Sequence, residues 1–301
     1  MERVQRGIKV AVLAGGTSSE REISLNSGKN ARAALREAGY RCVDLLDPAD
    51  EGFLDSIRSG YDVAFLALHG AGGEDGQIQH VLEYLGIPYT GSNAQASVLA
   101  ADKELSKVMY ERAGIPIAAG VALERGAAYD VRDIIEVVGK NSFVKPAING
   151  SSYGVSKVDD PSRLEAAIEL AFKYGEKVLV EECLVGTEIT VGVYEDGEPR
   201  ALPVVEICCP EDAEFYNLDV KYVDPTDIHR IPARLDGADY ARAQELACAA
   251  HRALGCFGLS RSDFIVTDRG PVILETNTLP GMTDTSLYPD EVRHEGMVFS
   301  D

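Results

Sequence analysis

The segment 259–277 reads LSRSDFIVTDRGPVILETN, and two acidic residues, Asp263 and Glu275, interrupt runs that otherwise suit a protein core. Two β-forming runs joined by Asp268-Arg269-Gly270 predict a hairpin with a three-residue loop, glycine taking the position that favours a left-handed backbone. That register sets Thr267 against Pro271, Asp263 against Glu275 and Arg261 against Asn277, all on one face because strand side chains alternate. Two carboxylates side by side repel unless a cation lies between them. Oxygen donors so arranged suit magnesium, which prefers carboxylates together with substrate phosphates. The same residues would also make a salt-bridged surface hairpin, and a slip of one residue would scatter them to opposite faces.

A second candidate is FVKPAINGSSYGVSKV, residues 143–158. A Walker loop places its lysine after the glycines and runs into a helix, whereas Lys145 precedes Gly150 and Gly154 and the chain returns to β-forming residues. A loop of backbone N–H groups and hydroxyls between two strands can still fold over phosphates, with Lys145 as a point charge beneath it; a solvated hairpin would read alike. Lys103 and Lys221 are further anion-binding candidates, though each alone also suits a surface. In VEECLVGTEITV, Glu181 and Glu188 flank a link whose backbone could pair with an adenine and whose acids could meet amino and ribose groups, or merely keep strand edges soluble. LPGMTDTS, 279–286, is a Pro-Gly turn followed by hydroxyls, fit either to hold an oxyanion or carboxylate or to serve as a plain turn. His69 falls at the carboxyl end of a predicted strand beside glycines, where both a ligand-binding and a structural histidine occur.

Several elements must position these groups. IKVAVLA (8–14), GGTSSERE and a helical pattern to about Ala38 read as strand, glycine loop and helix; the pattern repeats at 62–68, 69–76 and a helix from about Gln77. This predicts a small parallel α/β domain whose ligands sit beyond the carboxyl ends of its strands. From about Asn93 follow a helix carrying DKELSK, a strand at 143–146, a helix at 161–174, a strand at 177–184, a hairpin turning at Asp196-Gly197, a polar stretch at 210–236, a helix at 238–254 and the final hairpin. No internal repeat or linker separates the parts, so the domains abut.

The chain has 29 basic and 49 acidic residues, a net charge of -20, which opposes general attraction to nucleic acid or an anionic membrane. No apolar run approaches a bilayer span and the start lacks a signal-type apolar region, which leads to an expectation of a cytoplasmic protein. Six cysteines without a C-x-x-C pair read as reduced core residues.

Taken in order, GGTSSEREISLNSG, HGAGGEDGQIQ, DKELSK, VKPAINGSSYGVSKV, VEECLVGTEITV, FYNLDVKY, RSDF and ETNTLPGMTDTSLYP closely resemble the D-alanine–D-alanine ligase family of ATP-grasp enzymes, from near residue 8 to about 289. The resemblance implies an α/β (α+β composite) chain: an N-terminal parallel α/β domain over 1–95, then an ATP-grasp fold of two α+β subdomains, 96–183 with the glycine-rich loop and 184–301 with the metal site. It implies ligation of two D-alanines through an acyl phosphate, for peptidoglycan precursors, with ATP as substrate and two magnesium ions, manganese being possible. ATP would be bound by Lys103, Lys145, Gly150, Ser151, Ser152, Glu181, Glu182, Leu184, Glu188 and Lys221, and metal by Asp263, Glu275 and Asn277. Glu20, Ser151, Tyr222, Arg261, Gly281 and Ser286 would form the catalytic set. Glu20, His69, Tyr222, Arg261, Ser286 and Leu287 would hold the amino-acid substrates. A homodimer through the first domain is implied as well.

Relatives differ at the second substrate, and Tyr222 in VKY matches the dipeptide-forming branch rather than the branch that uses D-lactate; D-serine or D-lactate use, or a nucleotide-binding chain impaired in catalysis, are the alternatives. The sequence departs from the family pattern at Tyr153, at NLD before Lys221, and at Asp284, whose charge is expected to oppose the carboxylate of the second substrate unless the side chain points away. GMVFSD ends the chain on what reads as a helix N-cap, so a closing helix is expected to be missing.

Overall fold

The computed structural model describes residues 7–148, 153–208 and 228–300. It opens with β1 (Lys9–Leu13), α1 (Arg21–Glu37), β2 (Cys42–Leu46), α2 (Phe53–Arg58), β3 (Val63–Leu66) and α3 (Gln77–Leu85). The three strands form a parallel sheet in the order β2-β1-β3. Central β1 is buried from Val10 onward, as expected of a strand covered on both faces. Helix α1 comes close to it through Gly28, where a Cβ would lie 2.4 Å from that of Ala14. Edge strand β2 escapes a reading of apolar runs because Asp44 breaks its sequence and only Val43 is buried.

Two short helices follow, α4 (Ala94–Ala101) and α5 (Lys103–Arg112). They meet at Asp102, whose carboxylate accepts from the Glu104 and Leu105 N–H groups and so starts a new helix in a new direction. The second sheet comprises β4 (Gly120–Glu124), β5 (Ser142–Pro146), β6 (Ser156–Val158) and β7 (Lys177–Glu182), antiparallel in the order β4-β7-β5-β6. Helices α6 (Val131–Val138) and α7 (Leu164–Ala171) cover one face through Ile134, Val138, Leu164 and Ile168.

The third sheet contains β8 (Thr187–Asp196), β9 (Glu198–Ala201), β10 (Val205–Ile207), β11 (His229–Arg230), β12 (Leu259–Thr267) and β13 (Gly270–Asn277). Its order is β11-β10-β8-β12-β13, with β9 also on β8. Helix α8 (Gly237–Leu254), capped by Asp236 and ended by Gly255 at φ +73°, packs Leu246 and Ala250 on Ile189, Val191 and Phe264. Helix α9 (Leu287–His294) follows the last strand.

The β12–β13 hairpin corrects its expected register at one end. Thr267 faces Gly270 and Val266 faces Pro271, so only Asp268 and Arg269 lie in the turn, not three residues. A bulge then takes up Leu274, and beyond it Asp263 faces Glu275 and Arg261 faces Asn277, as the sequence predicts. The cysteines differ from expectation too. Among the described ones all are free, but only Cys256 is buried, and Cys42 is exposed on edge strand β2.

Candidate functional site

A cleft of about 520 Å³ gathers the loops after β1 and β3, the α4–α5 junction and the open end of the hairpin. Its walls include Glu20, His69, Lys103, Arg261, Glu275, Asn277, Gly281, Ser286 and Leu287. The topology explains this, because both loops leave the carboxyl ends of parallel strands. Asp263, Lys145, Glu181, Glu182, Leu184 and Glu188 are not part of that lining. Gly150, Ser151, Ser152, Lys221 and Tyr222 lie outside the described residues.

The amino-terminal wall is built by short polar links. Ser18 Oγ donates to the His69 carbonyl at 2.7 Å and accepts from the Glu20 N–H at 3.2 Å, tying the two loops together at the start of α1. Gly70, at φ +70°, lets the loop pass beside Ser18 and the Glu20 carboxylate, 3.2 and 3.5 Å from where a Cβ would stand. His69 is buried, with Nε2 2.9 Å from Ser27 Oγ and Nδ1 3.6 Å from Glu74. Ser27 accepts in turn from the Met282 N–H at 3.2 Å. The serine, on α1, therefore links the loop after β3 to the 279–286 turn, a role that no spacing in SLNSG discloses.

That turn presents hydroxyls and backbone to the cleft. Ser286 Oγ accepts from the Thr283 N–H at 3.0 Å and lies 2.7 Å from Thr283 Oγ1. A Cβ on Gly281 would come within 2.7 Å of Ser286 Oγ, so the residue must be glycine for this approach. Asp284 resolves the charge conflict expected from the sequence by pointing away. It is exposed, its carboxylate accepts from Asn30 on α1 at 3.4 Å, and its carbonyl accepts from Arg293 at 2.9 Å. Tyr153, the other departure, stacks its ring on Tyr174 with centroids 6.2 Å apart.

On the hairpin, alternation separates function from anchoring. Arg261, Asp263, Glu275 and Asn277 share the half-buried face, while Ser262 and Thr276 point inward, 2.8 Å apart, and the Tyr110 hydroxyl of α5 donates to Thr276 at 2.8 Å. The acids are paired with protein cations, Arg261 with Asp263 at 3.2 Å and Lys103 with Glu275 at 3.0 Å. Thr190 also donates to Asp263 at 2.5 Å, and Asn277 accepts from the Leu279 N–H at 2.7 Å. Two opposed carboxylates with an amide oxygen beside them form a hard donor set that fits magnesium or manganese.

Glu181, expected to help hold adenine, has its carboxylate between two lysines. Lys107 Nζ and Lys145 Nζ each lie 2.5 Å from one of its oxygens, and Glu181 is 3% exposed. Burial alone would push this carboxyl up, but Lys145 and Lys107 hold it below the ordinary carboxylate value. Glu182 accepts from the Ala119 N–H and pairs with Arg269, and Leu184 is half-buried. The sequence reading passed over Lys107, although its spacing of four from Lys103 within DKELSK places both on one helical face.

Glu291 is a second surprise. It is completely buried on α9, with one oxygen accepting from the Gly192 N–H at 2.6 Å and the other 2.6 Å from where a Gly192 Cβ would stand. Burial pushes its carboxyl up to about 8, opposed by the Gly192 bond and by Arg261.

Comparison with known proteins follows the same lines. The family model described as "D-ala D-ala ligase C-terminus" matches residues 109–301, and that described as "D-ala D-ala ligase N-terminus" matches 45–92. The chain belongs to the D-alanine–D-alanine ligase family. The D-alanine–D-alanine ligase of Citrifermentans bemidjiense is 44% identical over 294 residues, 97% of this chain and 93% of that protein. Among solved structures, this ligase resembles the D-alanine–D-alanine ligase of Bacillus anthracis, with TM-score 0.84, 32% identity and coverage of 98% of this chain and 94% of that one. A structure of the Bacillus anthracis enzyme complexed with ATP matches at 0.83 and 30% identity, over 98% of this chain and 93% of that one. The VanG D-Ala:D-Ser ligase of Enterococcus faecalis matches at 0.81 and 31% identity, over 98% of this chain and 97% of that one. The architecture is thus of the ATP-grasp type and the protein is an ATP-dependent ligase.

Proposed function

We propose that this ligase joins two D-alanines into D-alanyl-D-alanine, a peptidoglycan precursor, with release of ADP and phosphate. The observation that carries the reading is the convergence of Glu20, Arg261, Ser286 and Glu275 on one cleft, with Asp263 opposite Glu275 on the hairpin, in a chain of this family. A carboxylate oxygen of the first D-alanine attacks the γ-phosphorus, the bond to ADP breaks, and an acyl phosphate forms. The amine of the second D-alanine, after losing a proton, attacks the acyl carbon; the carbon–oxygen bond to phosphate then breaks and the peptide bond remains.

Each described residue has a matching task. The Glu20 carboxylate offers a partner to the first substrate's ammonium. Arg261 and the Gly281 N–H stabilise the oxyanion of the tetrahedral intermediate. Ser286 and the Leu287 N–H, at the start of α9, receive the second substrate's carboxylate, where the helix N-terminus favours an anion. His69 steadies the wall between them. Lys103 and Lys145 approach the phosphates; a phosphate-binding part for Gly150, Ser151, Ser152 and Lys221, and a first-substrate part for Tyr222 and Ser151, rest on the family resemblance, since these residues lie outside the described ones. Adenine meets the backbone of the link 182–184, and Glu188 meets ribose. Asp263, Glu275 and Asn277 would hold two magnesium ions, with manganese as a substitute, which supply charge neutralisation for the transferring phosphoryl group.

The domain limits 1–95, 96–183 and 184–301, a homodimer through the first domain and a cytoplasmic location belong to the same proposal. Among the described residues no helix is long and apolar enough to cross a membrane. The likeness to a D-Ala:D-Ser ligase makes D-serine the second reading for the incoming amine. The deciding experiment measures ADP release with ATP, magnesium and D-alanine, alone or with D-serine or D-lactate, and identifies products by mass. Turnover with D-alanine alone, yielding the dipeptide, is expected. Preference for D-lactate or D-serine over D-alanine as second substrate would contradict the proposed specificity.

A further inference from the structure

We propose that Lys107 is a positioning residue for nucleotide binding, holding the Glu181 carboxylate so that Lys145 is released to the phosphates of ATP. This rests on the ATP site proposed above. Lys107 is 9% exposed, a rare state for a lysine, and its ammonium meets Glu181 rather than the cleft. Its place is fixed from two sides. The Lys103 N–H donates to the Ala147 carbonyl at 3.0 Å, docking the first turn of α5 on the end of β5. Across the sheet Phe143 faces Glu181, so Lys145, two residues on, shares the face of the acid and meets it diagonally.

Counting charges shows why two lysines share one acid. Lys103, Lys107 and Lys145 face Glu181 and Glu275, an excess of one cation in a chain of net charge -20. With Lys107 in place, Lys145 can turn to a phosphate while Glu181 keeps a counter-ion at 2.5 Å. Without it, Lys145 would be the carboxylate's one remaining cation among these groups, and its departure would strand a buried charge, which is strongly unfavourable. The nucleotide would then compete with Glu181 for Lys145 and bind weakly. An adenosine without phosphates needs no such exchange.

The test uses the full chain and calorimetric affinities for ATP, ADP and adenosine. Lys107→Met is expected to weaken ATP and ADP by roughly 10- to 100-fold while adenosine changes by less than about twofold, and Lys107→Arg to restore most of the loss. The decisive comparison neutralises the acid first. In a Glu181→Gln background, Lys107→Met should leave ATP affinity within about twofold of Glu181→Gln alone, because no carboxylate is left to hold Lys145. This comparison does not need Lys107→Met alone to fold: Glu181→Gln keeps an amide oxygen that can accept from a lysine, and the double variant removes both charges of the Lys107–Glu181 pair. Equal losses for adenosine and ATP, or an undiminished effect of Lys107→Met beside Glu181→Gln, would make Lys107 a simple core ion and overturn the inference. Failure of the unmodified chain to bind ATP would sink the ATP site and this inference with it. Normal ATP binding and turnover, with the wrong Lys107 pattern, would sink this inference alone.

Discussion

The lysines at the two sets of ion pairs are alike, 11% to 14% exposed, but the acids differ: the side chains of Asp263 and Glu275 on the hairpin are 21% and 37% exposed, whereas Glu181 is 3% exposed. Water reaches the first set, so a partner can leave toward a ligand at modest cost. The Glu181 carboxylate is sealed, and there an exchange demands that a counter-ion stay behind. Charges of similar kind thus serve two ends. Those on the hairpin are held ready for replacement, and those under β5 and β7 hold the sheet as well as the site.

The contrast is sharpest if one acid is removed from each set. Glu275→Ala should lower turnover on the order of 100-fold, with little change in melting temperature, because Glu275 is itself 37% exposed. Glu181→Ala should instead destabilise the protein by about 3–5 kcal/mol, leaving buried Lys107 and half-buried Lys145 without their acid; denaturant unfolding of the two variants checks both statements. Equal stability losses would break the comparison.

Glu291 provides a third case, a sealed carboxyl whose second oxygen has no hydrogen-bond partner among the described residues. Burial pushes its carboxyl up to about 8 in the folded chain, against the ordinary carboxylate range when unfolded. The folded state therefore binds the proton more tightly, and the stability that Glu291 contributes at low pH is lost as pH rises from about 4.5 toward 8. Glu291→Gln should flatten this fall and raise the melting temperature at pH 8 to 9, a gain on the order of a few kcal/mol. An unchanged pH slope would mean that Arg261 compensates the charge.

Smaller effects should follow in the wall of the cleft. Ser27→Ala cuts the link from His69 to Met282 and is expected to raise KM for the second D-alanine by roughly 3- to 10-fold, the scale of one hydrogen bond, with kcat less affected. Asp284→Ser should change that KM by less than about twofold, since the carboxylate faces Asn30 and solvent. A large tightening by Asp284→Ser would show that its charge does reach the substrate.

Sequence reading succeeded where local pattern decides structure. Alternation placed Asp263, Glu275, Arg261 and Asn277 together, although a shorter turn and the bulge at Leu274 had to offset each other for that pairing to hold. It failed where a role depends on contacts distant in sequence. Glu291 is buried because Gly192, on another strand, leaves room for its carboxyl, and nothing in LYPDEVRH announces that. Asp284 looked troublesome because only the packed position of α1 reveals Asn30 as its partner. Lys107 was legible in principle from its spacing to Lys103, but its acid lies on β7. Strand β4 escaped notice because it is an edge whose only buried residue is Leu123.

The central claim is that the terminal phosphoryl group passes to the carboxylate of a D-alanine. It is tested most directly with D-alanine labelled with heavy oxygen in its carboxylate, followed by mass analysis of the phosphate released. One labelled oxygen per phosphate is expected, because the carboxylate oxygen that attacks phosphorus departs with it when the peptide bond forms. Unlabelled phosphate alongside dipeptide formation would contradict the acyl-phosphate route.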